Sequence, residues 1–409
     1  MESFVTELHI RQCLDLPDFS IPLGANERKH LLITGKNGSG KTTLLKLIEK
    51  HLNGLVNSGR AVLDEAAKRL GVGDTGNASR PRLDPTVHET QRDIQIFRDR
   101  LDEFGPCDLS FTNQAAVFDA IFEGAYLVAA FEAKRSIGVS VPAGVQRVDL
   151  ASKPGPTQRE HSKFLQFIVN LKASRSFARD DGNMAEVEKI DKWFERFEGQ
   201  LRQIFGCDEL RLVFDRKNFN FEIALNGHSP FGFNALSDGY SAIINIVTEL
   251  LIRMEAHACS GYDMEGLVLI DEIETHLHVD LQKRVLPFLT QFFPNLQFIV
   301  TTHSPFVLSS IDNAVICDLE KQIITGDLSG YSYDALIESY FGSDKYSDEV
   351  KRKLATYESL TERSDLSDDE RDQLYALEGY FDGLPKYLEP ELDVKLQQIK
   401  LRQLGKGRK

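Results

Sequence analysis

The run Gly35-Lys36-Asn37-Gly38-Ser39-Gly40-Lys41-Thr42 constrains this chain more than any other stretch, because it satisfies G-x-x-x-x-G-K-[ST] in the required setting. Before it, His30 to Thr34 is short and apolar; after it, Leu44, Leu45, Leu47 and Ile48 trace one face of a helix. A strand, a glycine-rich turn and a helix in that order let backbone N–H groups curl around phosphates, at a helix N-terminus that favours negative charge. Lys41 then reaches the outer phosphates and Thr42 offers its hydroxyl to magnesium. The nucleotide contacts expected here are Gly35, Asn37, Gly38, Ser39, Gly40, Lys41, Thr42 and Thr43.

A phosphate loop needs a second strand to supply carboxylates, and Leu267 to Ile270 is an apolar run that ends in Asp271-Glu272. Asp271 suits the magnesium shell beside Thr42, and Glu272 suits the task of orienting and deprotonating an attacking water. Taken alone, two acids after an apolar strand read equally well as a solvated strand end. The next strand, Gln297 to Thr301, runs into Thr302-His303-Ser304-Pro305, where the imidazole can hydrogen-bond a phosphate oxygen. The catalytic set expected is Lys41, Glu272 and His303, with Thr42 and Asp271 as metal ligands. Leu236-Ser237-Asp238-Gly239-Tyr240 precedes a helix whose apolar positions Ile243, Val247, Leu250, Leu251 and Met254 recur at three and four residues. Ser237 reads as its N-cap, and equally as part of an anion site that meets a second nucleotide's terminal phosphate.

Strands alternating with helices imply an α/β fold with a mostly parallel core sheet. Phe4 to Ile10 and Ser20 to Leu23, around the turn-prone Asp15 to Asp18, suggest an antiparallel edge, and Leu210 to Phe214 with Phe219 to Leu225 suggest a hairpin. Pro287 falls inside the helical stretch Val279 to Phe292 and is expected to kink it. Residues 55–205 change character, with helical charge patterning, breaks at Gly71 to Pro85 and Lys153 to Pro156, and a β-prone run from Ala125 to Val141 that suits the edge of the core sheet. The expected division is a core of residues 1–54 and 206–328, an inserted, mainly helical lobe of 55–205, and a C-terminal helical segment of 329–409. That last segment carries an acidic patch from Asp365 to Glu370 and a basic end from Lys395 to Lys409.

The chain's 409 residues exceed the roughly 250–300 that one core sustains, so two lobes are expected. No apolar run approaches the roughly 20 residues of a spanning helix, and the first thirty carry acids instead of a signal peptide's apolar stretch, which points to the cytoplasm and away from membranes. Five scattered cysteines fit reduced thiols better than a disulfide frame or zinc site. A net charge of −14 argues against a globally basic nucleic-acid binder, although a local basic patch is compatible with it.

The phosphate loop, Leu236-Ser237-Asp238-Gly239, Leu267 to Glu272 and His303 occur in the order and strand context of ABC-type ATPases, which the chain resembles at both ends of its core. Asp271-Glu272-Ile273-Glu274-Thr275-His276-Leu277-His278 is most similar to the OLD-like, SMC-related branch, which includes ATPase subunits of anti-phage defence systems such as PARIS and Septu. The resemblance implies an ABC-type P-loop ATPase head that takes ATP and Mg2+. It also implies a homo-oligomer in which Ser237 and Gly239 cap ATP held by another protomer, Glu272 as the catalytic carboxylate and His303 as the switch histidine. His276 to Asp280 would cover the inter-subunit loop. By the same analogy the chain controls a separately encoded effector, such as a nuclease, in defence; the alternative is a RecF- or SMC-like DNA-repair ATPase. Asp238 departs from the common signature glycine, which puts the rate of hydrolysis in question. Gln114, Gln146 and Gln158 all compete for the family's loop glutamine, and none is assigned.

Overall fold

The computed structural model describes residues 2–11, 17–69, 104–135, 138–256, 263–326, 328–330, 336, 348–363, 365–383 and 396–399. The breaks from Gly71 to Pro85, most of the turn around Asp15 and most of the basic end from Lys395 to Lys409 lie outside the described residues. The chain divides into two compact units, Met1–Tyr331 and Ser332–Lys409.

In the first unit, β1 (Val5–Ile10) and β2 (Phe19–Pro22) form the expected antiparallel edge. β3 (His30–Thr34) leads through the glycine turn into α1 (Lys41–Arg69), which is interrupted at Gly59, where φ is 65°. After it come β4 (Cys107–Phe111), α2 (Gln114–Glu123) and β5 (Leu127–Phe131). The α2 helix starts where the Asn113 side chain accepts the Ala116 N–H, and it stops at Gly124, whose φ of 82° only glycine adopts without strain. β4 pairs with β1 and β5 with a core strand, so residues 55–205 supply strands to two sheets. The same stretch forms a helical hairpin, α3 (Phe164–Asp180) and α4 (Met184–Phe205), packed through Phe164, Trp193 and Phe197 with ring centroids 5.4 Å apart.

β6 (Arg211–Asp215), β7 (Asn220–Ala224) and β8 (Phe231–Gly232) form an antiparallel sheet, the first two as the expected hairpin. There follow α5 (Asp238–Glu255), β9 (Gly266–Ile270), α6 (Val279–Phe292), β10 (Leu296–Thr301), the short α7 (Pro305–Leu308), β11 (Ala314–Asp318) and β12 (Ile323–Thr325). Pro287 lies within α6 as one continuous helix. The central sheet has the order β12-β11-β3-β10-β9-β5, parallel throughout except for β12. Every residue of β3, β5, β9, β10 and β11 is buried, the mainly apolar pattern of a parallel sheet covered on both faces, with polar residues such as His30, Thr34, Gln297, Thr301 and Asp318 near the strand ends. Each such Val, Leu or Ile contributes about 1.5–3 kcal/mol of transfer free energy on burial.

Register is what makes this sheet useful. Thr301 pairs with Ile33 and Val300 with Ile270, so the C-terminal ends of β3, β9 and β10 finish side by side, where open parallel sheets bind ligands.

The second unit holds α8 (Asp348–Glu362) and α9 (Asp368–Asp382), packed through Leu354, Tyr357, Leu360, Leu374, Leu377 and Phe381. The acidic patch is the start of α9: Ser367 and Glu370 form a reciprocal capping box, and Asp368, Asp369 and Glu370 lie in the first turn, where the helix dipole favours carboxylates.

Candidate active site

Three glycines of the loop, Gly35, Gly38 and Gly40, have φ of 138°, 85° and 94°, which keeps the backbone in turns that side chains resist. Gly35 is also closely surrounded, since a Cβ there would lie 2.7 Å from the Ser39 hydroxyl, which would have to turn away, and 3.3 Å from the Glu320 backbone nitrogen. The turn delivers Lys41 to the first position of α1. Its ammonium is buried and donates to the carbonyls of Gly35 at 2.9 Å and Lys36 at 3.0 Å. Burial pushes the Lys41 pKa down, against the opposing charges of Glu272, Glu274 and Asp271. The Ser39 hydroxyl is buried with no protein partner, as a polar group waiting for a ligand oxygen would be.

Thr42 donates its hydroxyl to Asp271 at 3.0 Å, which brings together the two residues expected to hold a cation. A hydroxyl and a carboxylate beside a phosphate loop are hard oxygen donors that suit Mg2+. The Asp271 carboxylate also accepts the Thr301 hydroxyl at 2.5 Å, and that hydroxyl oxygen accepts the Glu272 N–H at 2.7 Å. Thr301 therefore ties the Asp271 carboxylate to the backbone of Glu272 across adjacent strands.

Beyond Asp271 the chain leaves β9 abruptly, because Glu272 takes a left-handed φ of 42°. A non-glycine residue there costs of order 1 kcal/mol or more, so something must hold it. The Ile273 N–H bonds the Thr301 carbonyl at 3.2 Å and the Thr275 N–H bonds the Glu272 carbonyl at 3.0 Å. From the other side the buried Arg135 donates to the carbonyls of Asp271 at 2.7 Å, Glu272 at 3.0 Å and Ile273 at 3.1 Å. Burial lowers the Arg135 pKa to about 10 against the raising effect of Glu274, Asp271 and Glu272, so the group remains cationic at neutral pH. Glu274 takes the His303 N–H at 2.5 Å, which ties the histidine's backbone to the same turn.

Ser237 is the residue before α5, and its hydroxyl makes no capping bond. It is exposed, as is Asp238, whereas Gly239 is buried where a Cβ would sit 3.0 Å from the His276 carbonyl. No hydrogen bond among the described residues joins Ser237 to the loop of its own chain. The structure thus gathers Lys41, Thr42, Asp271, Glu272 and the His303 backbone into one region, and sets Gly239 beside the His276 carbonyl.

Thr301, Glu274 and Arg135 complete the site without having been singled out by sequence. The first two sit inside quoted motifs. Arg135 lies in a stretch without one, where a single arginine after an apolar run reads as an ordinary surface cation. Of the competing glutamines, Gln114 spends its amide on the Leu109 carbonyl and the Phe111 N–H, and Gln158 bonds Glu160. The residue that follows β5, beside β9, is Glu132.

The model of a family described as "AAA domain, putative AbiEii toxin, Type IV TA system" matches residues 149–309, and that of the "ABC transporter" family matches 19–116. The chain is 39% identical over 114 residues to a "Septu protein PtuA" of Bacillus mycoides, covering 26% of this chain and 16% of that protein. It is 30% identical over 173 residues to the "Retron Ec83 probable ATPase" of Escherichia coli, covering 36% of this chain and 30% of that one. The chain thus spans less than a third of the length of either relative. A solved "SMC head domain from Thermotoga maritima" aligns with 76% of this chain and 94% of its own at 15% identity and a TM-score of 0.35, too loose a fit to bear on the site. By its phosphate-loop sheet and by its relatives, the chain carries an ABC-type ATPase core related to the ATPases of anti-phage defence systems.

Proposed function

We propose that this chain binds ATP with Mg2+ on the Gly35–Thr42 loop, hydrolyses it with Glu272 as general base, and completes each site by pairing with a second copy. One observation carries the reading: Thr42, Asp271, Thr301 and Glu272 form a continuous hydrogen-bonded set beside the phosphate loop. Thr42 and Asp271 would hold the cation, which when bound supplies positive charge to the outer phosphates. Lys41 adds a charge-assisted contact there, and the strained turn aims Glu272 toward an attacking water. The exposed Ser237 and the start of α5 offer an uncapped helix N-terminus to a nucleotide on another protomer.

The wider role we propose, control of a separately encoded effector in anti-phage defence, rests on the relatives with Septu and retron names. Residues 55–205 and the segment after Leu328 are the regions proposed to carry that partner's surface. Calorimetric titration with ATP and Mg2+ tests the loop assignment. Lys41→Ala, which removes a charge-assisted contact of about 1.5–3 kcal/mol, should weaken binding by about tenfold or more. Parent-like affinity in that variant would refute it.

A further inference from the structure

The turn that carries Glu272 is held only in part by its own backbone, through the Thr275 N–H on the Glu272 carbonyl. Asp271 ends a buried strand, Glu272 adopts φ of 42°, and the carbonyls of Asp271, Glu272 and Ile273 converge on one side of the chain. Three converging carbonyl dipoles beside the Asp271, Glu272 and Glu274 carboxylates repel one another unless a multi-pronged donor sits among them. We propose that Arg135 is a positioning residue for ATP hydrolysis, whose guanidinium fork fixes this turn and with it the aim of Glu272; the inference rests on the ATPase reading above.

The geometry supports a fork rather than a simple counter-charge. One terminal nitrogen bonds the Glu132 and Asp271 carbonyls at 2.8 and 2.7 Å, and the other bonds those of Glu272 and Ile273 at 3.0 and 3.1 Å. Arg135 thereby joins the end of β5 to the turn after β9, two neighbouring strands of the central sheet. Only a planar group with fixed, divergent donors spans four carbonyls in this way, whereas a lysine ammonium supplies a point charge. The same turn holds Glu274, which anchors the His303 N–H, so one guanidinium steadies the supports of both the expected base and the switch histidine. Arg135 itself sits behind the carboxylate turn, and no step of the reaction is assigned to it.

A mere counter-charge would be replaced by lysine; a fork would not. The test is therefore Arg135→Lys in the full-length chain, with kcat from steady-state phosphate release and the ATP dissociation constant from calorimetry. Trp193 fluorescence serves as the folding control, since the indole donates to Glu255 and stacks on Phe197. Positioning predicts a kcat about 10- to 100-fold below the parent with ATP affinity within about twofold, because small misplacements of a reacting group cost rate without costing ground-state binding. Arg135→Ala should be impaired at least as much, with partial rescue by added guanidinium ion. A lysine variant with parent-like kcat, one in which affinity and kcat fall together, or one that loses the folded Trp193 signal would each overturn the role. Absence of turnover in the parent would instead overturn the ATPase reading and this inference with it.

Discussion

Thr301 has two jobs that a threonine hydroxyl can do at once: its oxygen accepts the Glu272 N–H while its proton goes to Asp271. Thr301→Val keeps the shape and removes both bonds, leaving a partly buried N–H unpaired. We expect a stability loss of about 1–3 kcal/mol in urea unfolding, with turnover down by about tenfold as Glu272 loses its anchor. Unchanged turnover would show that the Glu272 turn is held without Thr301. The pair Asp271-Glu272, the loop lysine and Thr42 were legible in sequence because each belongs to a motif with a fixed spacing from an apolar strand. Arg135 was not, since its partners are backbone carbonyls 136 to 138 residues away, and hydrogen bonds to backbone leave no trace in the partner's side chains. Ser237 occupies the cap position expected of it before α5, but its hydroxyl does not cap.

At the scale of elements, the buried strands and helices were legible wherever an apolar run alternated with a periodic one, as in β3, β9, β10 and α5. The role of residues 55–205 was less so. Their helical patterning was visible, but the pairing of β4 with β1 depends on long-range register that local pattern does not carry. Two elements also bury titratable groups. His30 in β3 accepts the Phe298 N–H on Nδ1, and His51 in α1 lies between the Phe104 and Phe118 rings at 5.8 and 6.5 Å. Burial holds each down to about 4 from the ordinary 6.5. Because the folded values lie below the unfolded one, the unfolded chain takes up protons first. Stability is full above about pH 6.5 and falls as pH drops toward 4. Each histidine should contribute a loss of about 1.5 kcal/mol between pH 6.5 and 5. Urea unfolding followed by Trp193 fluorescence should show this, and His51→Leu should remove about half of it; a pH-independent midpoint would contradict the burial of both rings as neutral groups.

At the scale of the whole molecule, two of the expected nucleotide contacts, Ser237 and Gly239, sit at the start of α5, away from the buried Lys41 and Asp271, and Ser237 is exposed. The Ser237 hydroxyl makes no capping bond at the start of α5, and anion binding there is favoured by the helix dipole. Blocking hydrolysis should therefore trap a pair of chains. Light scattering of Glu272→Gln with ATP and Mg2+ should show the mass double relative to the nucleotide-free protein, and Ser237→Arg added to that variant should prevent it. A mass indifferent to ATP would remove the second copy from the site. The central claim, that Glu272 on its strained turn drives ATP hydrolysis at the Gly35–Thr42 loop, is tested most directly by phosphate release from the parent and from Glu272→Gln at saturating ATP and Mg2+. The account predicts steady release from the parent, slowed by about 100-fold or more in the variant, since the amide keeps the shape but cannot act as a base; equal release from both would contradict it.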